Sequence, residues 1–302
     1  MMIVDNKIKE NDKYIIFHIE GGLGKNGMAT AVIRAIKKQY PNHKLIVVGS
    51  WDAFYFNNPN IFRFYLHGEI RYFREFIKDD TIIMKHDPYN ETNHILRKEH
   101  LTETWCKMFG IKHDGVKPEL YLNPRELEIA RDKIKPDARP IMLIQSHGGS
   151  PNTQYSKKSW YRDIPVEISQ KLVNYYSKSY RILHMRLPEQ PSLQGTEMVN
   201  LPLREMMAVF PLTTKRILID SSGMHIAAAL GLQSTVLWIG NTDKVFGYPE
   251  HINIYPNANI INNFDKFSYL QDDISGQVQA FPYDTVNLFD INKIIEAVNK
   301  QK

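Results

Sequence analysis

Two doubly wound α/β domains facing one another across a cleft are predicted for this chain by three observations. Short apolar β-type runs alternate with helical stretches along both halves. Small polar turns follow the strands: Gly21-Gly22-Leu23-Gly24-Lys25 after residues 14–19, Ser146-His147-Gly148-Gly149-Ser150 after residues 141–145, and Asp220-Ser221-Ser222-Gly223 after residues 216–219. The strongest linker composition, Pro136-Asp137-Ala138-Arg139-Pro140, falls between the halves. The expected division is 1–135, 136–285 and a closing C-terminal helix within 286–302.

The totals bound the classes. The 302 residues, 43% of them apolar, suffice for two domains of ordinary size. A formal charge of +5 and a pI near 9.0 favour anionic partners such as nucleotides, phosphorylated glycans or a membrane surface. The Lys and Arg residues are scattered, with no run like a nucleic-acid arm, so no nucleic acid is expected. Cys106 is the one cysteine, which excludes a disulfide framework and a thiolate metal site. The N-terminus is polar, unlike a signal peptide, and no apolar run approaches the roughly 20 residues that span a bilayer. A cytoplasmic protein is expected, with charge compatible with peripheral contact at the inner membrane face.

In the first half, residues 14–19 read as a strand, residues 28–40 carry helical apolar spacing (Met28, Val32, Ile33, Ile36), and residues 45–48 form a second strand. Gly22, Gly24 and Gly27 fit G-x-G-x-x-G between strand and helix, so an NAD(P)-dependent oxidoreductase is a rival expectation. That fingerprint wants an acid where the second strand ends, yet Val48-Gly49-Ser50 stands there. Residues 51–76 are dense in aromatics, most expected in the core. Residues 81–84 read as a strand with Lys85-His86-Asp87 at its carboxyl end, where polar groups of an open sheet meet ligand or simply form a turn. Residues 95–109 and 124–134 read as helices.

In the second half, residues 216–219, the segment Asp220-Ser221-Ser222-Gly223-Met224-His225-Ile226-Ala227-Ala228-Ala229-Leu230-Gly231, and residues 235–240 make strand, tight turn, helix and strand. The first N–H groups of such a helix lack intrahelical partners and carry partial positive charge, which suits phosphate. Asp220 and Ser221 read equally as plain helix caps. Asp272-Asp273 is a lone acidic pair, and no metal site is expected.

The Asp220 segment, with Thr235-Val236-Leu237-Trp238-Ile239-Gly240-Asn241-Thr242-Asp243 after it, resembles the signature of the heptosyltransferase-like glycosyltransferases, the ADP-heptose:lipopolysaccharide type of glycosyltransferase family 9. The resemblance runs over residues 141–250 and, less fully, 14–50. It implies a GT-B fold and inverting, metal-independent transfer of a sugar such as a heptose from a nucleotide diphosphate sugar to a glycan or lipopolysaccharide-type hydroxyl. No cofactor beyond the donor substrate is implied.

Lys158-Ser159-Trp160 matches the family's K-x-W, whose lysine contacts the donor phosphates, with Lys157 as the adjacent alternative. The N–H groups of Ser221 to Met224, the Ser221 and Ser222 hydroxyls and Thr242 complete the expected donor site, with Asp220, Gly223 and His225 in the same turn. His225 either contacts phosphate or fixes the turn. Gly22, Gly24 and Asn26 are expected on the acceptor side. The family's proposed catalytic base is an Asp after the Gly of the first turn; Lys25 stands there. A lysine is charged at neutral pH unless strongly desolvated, so Lys25 is read as a holder of an acceptor phosphate or carboxylate. Asp87, His86 and Glu20 are the candidate bases. The same lysine leaves open a non-catalytic nucleotide- or sugar-binding relative.

Overall fold

The structure is a computed structural model that describes residues 8, 11–69, 71–135, 137–148, 161–261 and 281–302. It divides into two compact units, residues 1–91 with 101–121, and residues 92–100 with 122–302.

In the first unit, β1 (Lys13–Ile19), α1 (Leu23–Gln39), β2 (His43–Gly49), β3 (Arg63–Leu66), α2 (Arg71–Phe76) and β4 (Ile82–Met84) follow one another. The strands form an all-parallel sheet in the order β3-β2-β1-β4. Residues 14–19 of β1 are buried, the continuous apolar run expected of a parallel strand covered on both faces. One face carries Tyr14, Ile16, Ile46, Val48, Tyr65, Tyr72 and Phe76. On β1, the Phe17 ring lies 5.3 Å from Trp105. Of the aromatics in residues 51–76, Phe54 and Phe76 are fully buried, whereas Trp51, Phe56 and Phe73 are exposed.

Two sequence expectations need correction here. Helix α1 begins at Leu23, not Met28, because the polar Gly24-Lys25-Asn26 turn is wound into the helix and hides its period. Residues 95–109 are not one helix. α3 (Thr92–Ile95) ends early, Arg97 takes a left-handed φ of 52°, and α4 (Leu101–Met108) starts anew.

In the second unit, α5 (Pro124–Ile134), β5 (Ile141–Ile144), α6 (Val166–Tyr176), β6 (Arg181–Met185), β7 (Glu197–Val199) and α7 (Leu203–Val209) precede β8 (Lys215–Ile219), α8 (Ser222–Ala229), β9 (Thr235–Leu237), α9 (Asp243–Phe246) and β10 (Ile252–Ile254). The helix Ile291–Asn299 closes the chain. The six strands are all parallel, in the order β10-β9-β8-β5-β6-β7. Counted from β5, that is the 3-2-1-4-5-6 winding of dinucleotide-binding sheets. Its core packs Ile144, Leu172, Ile217, Ile219, Leu237 and Ile294 together.

The boundary lies before α5 rather than at residues 135/136. The α5 cap is a reciprocal pair: Asn123 accepts from the Glu126 N–H, and the Glu126 carboxylate accepts from the Asn123 N–H. Arg204 of α7 donates to both oxygens of Glu126 at 2.7 Å, and Lys133 pairs with Glu205. Arg181 of β6 donates to the Ile134 and Lys135 carbonyls. Residues 137–140 therefore lie inside the second unit rather than between units. The chain's end belongs there too: the Gln301 amide donates to the Arg216 carbonyl and the Thr235 hydroxyl, each at 2.7 Å. No helix among the described residues is long and apolar enough to cross a membrane.

Candidate functional site

Each sheet reverses its winding at one place, and ligands of open parallel sheets bind outside the carboxyl ends of the strands that flank that place. In the first unit these strands are β1 and β4; in the second they are β5 and β8.

At the first unit's reversal, His18, Glu20, Lys25, Lys85, His86, Asp87 and Trp105 line a small recess. Lys25 comes from the first turn of α1 and is 4% exposed. Its Nζ donates to Asp87 Oδ2 at 2.6 Å and stands over the rings of Tyr89 (4.5 Å) and Trp105 (5.6 Å). Gly21, at φ +99°, makes this possible, because a Cβ there would come 3.1 Å from Lys25 Cδ. Burial pushes the Lys25 pKa down, and the hydrogen bond and charge of Asp87 oppose that shift.

Asp87 is more open, its side chain 29% exposed. Its Oδ1 accepts from the Tyr89 N–H at 2.9 Å and starts the short turn Pro88–Asn90. Each oxygen thus has one protein donor and keeps lone-pair capacity for another. The His86 ring stacks on Phe109, and Glu20 is exposed with no hydrogen-bond partner among the described residues. The structure therefore brings Asp87, His86, Glu20 and Lys25 into one recess.

Two first-turn expectations change. Lys25, read as a holder of an acceptor anion, has its ammonium engaged by Asp87. Asn26, read as a cleft residue, is fully buried: its Nδ2 donates to the Gly21 and Gly22 carbonyls, and its Oδ1 accepts from the Tyr55 hydroxyl at 2.8 Å. It holds the turn from beneath, because an amide can satisfy the carbonyls that the turn exposes. Gly22 is exposed at the turn and caps α1, while Gly24 is half-buried inside it.

At the second unit's reversal, the turn from β8 to α8 is latched to β5. The Gln145 Oε1 accepts from the Gly223 N–H at 3.2 Å, and its Nε2 donates to the Ser221 hydroxyl at 3.3 Å. A Cβ on Gly223 would lie 2.4 Å from Gln145 Oε1, so the latch requires glycine. The latch also corrects the expected phosphate cradle. The Ser221 N–H donates to Ile219 O, the Gly223 N–H to Gln145 and the Met224 N–H to Ser221 O. Of the four amides, only that of Ser222 has no protein partner among the described residues.

Asp220 does not cap the helix. It is buried and accepts from Asn241 Nδ2 at 2.6 Å, and burial raises its pKa against the opposing charges of Arg162 and Arg97. Arg162 also packs over Gly148, whose N–H donates to Asp163 at 2.9 Å. Burial pushes Asp163 up to about 6. His225 is buried rather than facing solvent: its Nδ1 meets the Tyr248 hydroxyl at 2.6 Å, which ties α8 to residue 248, and burial lowers its pKa to about 3. Thr242 caps α9 through the Lys244 N–H. Lys157 and Lys158 lie outside the described residues, as do Asp272 and Asp273. Among the described residues no group of three His, Cys, Asp or Glu side chains is placed to hold a metal.

Sequence reasoning missed Gln145, Arg162, Asp163 and Arg97. Arg97 donates to the Gly240 carbonyl at 3.0 Å across a separation of 143 residues, and no local pattern signals it. Gly240 is itself confined. A Cβ there would meet the Tyr161 ring at 2.5 Å and its backbone at 3.0 Å. Because backbone cannot yield as a side-chain tip can, Gly240→Ala is expected to lower the unfolding free energy by about 1–3 kcal/mol, measured by chemical denaturation.

No family model matches the sequence, and no curated protein matches it. Solved structures do. A glycosyl transferase family 9 protein from Veillonella parvula aligns over 97% of this chain and 98% of its own, at 14% identity and a TM-score of 0.70. The ADP-heptose lipopolysaccharide heptosyltransferase II of E. coli aligns over 95% and 97%, at 10% identity and 0.66. An E. coli heptosyltransferase, WaaC, solved with ADP aligns over 80% and 92%, at 12% identity and 0.52. The signature read in residues 220–243 is thus matched by the fold of the whole chain, which is that of the family 9 glycosyltransferases.

Proposed function

We propose that this chain is an inverting, metal-independent glycosyltransferase that moves a sugar from a nucleotide diphosphate sugar to a hydroxyl of a glycan or lipopolysaccharide-type acceptor. The observation that carries the reading is the latched Asp220–Gly223 turn at the β5/β8 reversal, in a fold shared with heptosyltransferases. The donor is assigned to the second unit. Its diphosphate would take hydrogen bonds from the Ser222 N–H and the Ser221 and Ser222 hydroxyls. Charge would come from Arg162 and from Lys157 or Lys158. Negative charge grows on the departing diphosphate, so these groups act most strongly in the transition state.

The acceptor and its base are assigned to the first unit. Asp87 takes the proton of the attacking hydroxyl as the new glycosidic bond forms and the sugar–phosphate bond breaks. Lys25 positions Asp87. The carboxylate that the family carries on the first turn of α1 has, on this reading, moved to the end of β4, and Lys25 holds it there. Cytoplasmic work at or near the inner membrane face is the setting that this acceptor class implies.

The test is thermal stabilisation by ADP, GDP, UDP and CDP, their sugars, and NAD(P)H. A ligand at 100 times its dissociation constant adds about 2.7 kcal/mol. One nucleoside diphosphate and its sugar should stabilise the protein, and that sugar nucleotide should be turned over. Stabilisation only by NAD(P)H would overturn the proposal in favour of an oxidoreductase. Binding without turnover would favour a non-catalytic relative, the reading that a lysine at the family's base position also suggests.

A further inference from the structure

A second hydrogen-bonded chain lies at the carboxyl ends of β5 and β6, outside the groups assigned so far. The Ser146 hydroxyl meets His147 Nδ1 at 2.8 Å and His184 Nε2 at 2.9 Å. Ser146 and His184 are fully buried, and His147 is 8% exposed. The other nitrogen of His184, Nδ1, is buried with no partner, while His147 Nε2 has no protein partner among the described residues. Burial lowers His184 to about 4 and lowers His147 as well, with Arg186 adding to both shifts, so both rings are neutral at pH 7.

A neutral ring carries one N–H, and the two ring nitrogens are the only acceptors within reach of the buried Ser146 O–H among the described residues, so with that O–H satisfied the chain can run in two directions. If Ser146 donated to His184, the His184 proton would sit on Nδ1 as a buried N–H with no acceptor. If His184 donates from Nε2, only a lone pair is left unmet, and the stranded N–H is avoided. The second direction makes Ser146 donate to His147 Nδ1 and puts the His147 proton on Nε2, the nitrogen with no protein partner among the described residues.

We infer that Ser146 and His184 are positioning residues that lock His147 in its Nε2–H tautomer, and that this neutral N–H is a hydrogen-bond donor to a nucleoside diphosphate. The ligand half rests on the donor assignment above; the tautomer half does not. The neighbouring backbone supports the placement: His147 precedes Gly148, whose Cβ position lies 3.2 Å from the Ser221 hydroxyl. A neutral donor at this point reads an acceptor atom without adding charge, in contrast to Arg162.

The experiment has two arms. Nitrogen NMR of histidine-labelled protein at pH 7, with His147→Gln to assign the signal, should show His147 protonated at Nε2 alone. Ser146→Ala should then give mixed tautomers. A wild-type His147 protonated at Nδ1, or charged, overturns the lock whatever the ligand. The second arm is calorimetric titration with whichever of ADP, GDP, UDP or CDP stabilises the wild type. His147→Phe should bind about tenfold more weakly, the loss of one hydrogen bond. His147→Gln, whose amide N–H reaches the same point, should recover most of that loss. Wild-type affinity in His147→Phe overturns the ligand half alone. Failure of the wild type to bind any of the four overturns the donor assignment instead, and the tautomer readout still decides the lock.

Discussion

Asp87→Asn is expected to slow sugar transfer by about 10²–10⁴-fold, the usual worth of a positioned general base. The substitution separates base from scaffold. An asparagine Oδ1 can still accept from the Tyr89 N–H, so the turn Pro88–Asn90 keeps its cap. What disappears is proton affinity, and with it the charge facing Lys25 Nζ at 2.6 Å. Because Lys25 is buried, removing its partner would leave an uncompensated ammonium, whose pKa burial already pushes down. Neutralisation of Lys25 is the cheaper response, so the variant should stay folded with some loss of stability. Nucleotide binding, assigned to the second unit, should be unchanged. The measurement is release of nucleoside diphosphate from the stabilising sugar nucleotide with rough-type lipopolysaccharide as acceptor. Lys25→Met is the companion: its thioether suits the Tyr89 and Trp105 rings, and loss of positioning alone should cost about tenfold. If Asp87→Asn keeps wild-type turnover, Asp87 is a cap and the base lies elsewhere, with His86 and Glu20 the remaining groups in the recess.

The recess shows what a sequence carries about a site and what it withholds. Lys25, His86, Asp87 and Glu20 were each legible, because polar residues after an apolar strand point to the ligand edge of a parallel sheet. The Lys25–Asp87 pairing was not. The two are 62 residues apart, and only the register of β1 against β4 puts them together. The Asp220 turn was likewise legible from its small residues, but the occupancy of its amides was not. Gln145 sits at the end of β5 and spends a Gly223 N–H that local reasoning would offer to phosphate. Asn26 misled for a similar reason: a polar residue beside glycines reads as a ligand contact, yet its amide is turned inward to satisfy the turn's own carbonyls. The Pro136–Pro140 stretch has the composition of a linker, and it took the Arg204–Glu126 pair to place α5 on the far side of the boundary. The succession of strands and the position of their turns follow from local pattern; strand order, domain edges and hydrogen-bond ownership follow from tertiary pairing.

The buried histidines make a second large effect expected, a loss of stability between pH 7 and pH 5. His225 and His184 are held neutral by burial, at about 3 and about 4, against roughly 6.5 in the unfolded chain. The unfolded state therefore binds more protons than the folded state between those values. Stability is fully present above about pH 6.5 and falls as the pH drops. At pH 5 each ring costs about 2 kcal/mol, from 1.36 kcal/mol per unit of pKa difference expressed. His18, His43, His113, His147 and His251 are shifted in the same direction. Asp163 works the other way: with its pKa raised to about 6, the folded state takes up a proton first, which restores about 1 kcal/mol by pH 5. The two rings and Asp163 together give a loss of about 3 kcal/mol, which the raised Asp220 offsets in part, read as a falling denaturation midpoint in urea at pH 7.5, 6.5, 5.5 and 5.0. His225→Phe should flatten that pH dependence by close to one proton, since the ring no longer titrates on unfolding. The same variant loses the 2.6 Å bond to Tyr248, so its stability at pH 7.5 should also be lower. A midpoint that stays constant from pH 7.5 to 5.0 in the wild type would mean that these rings are charged or solvated in the fold, contrary to their burial on α8 and β6.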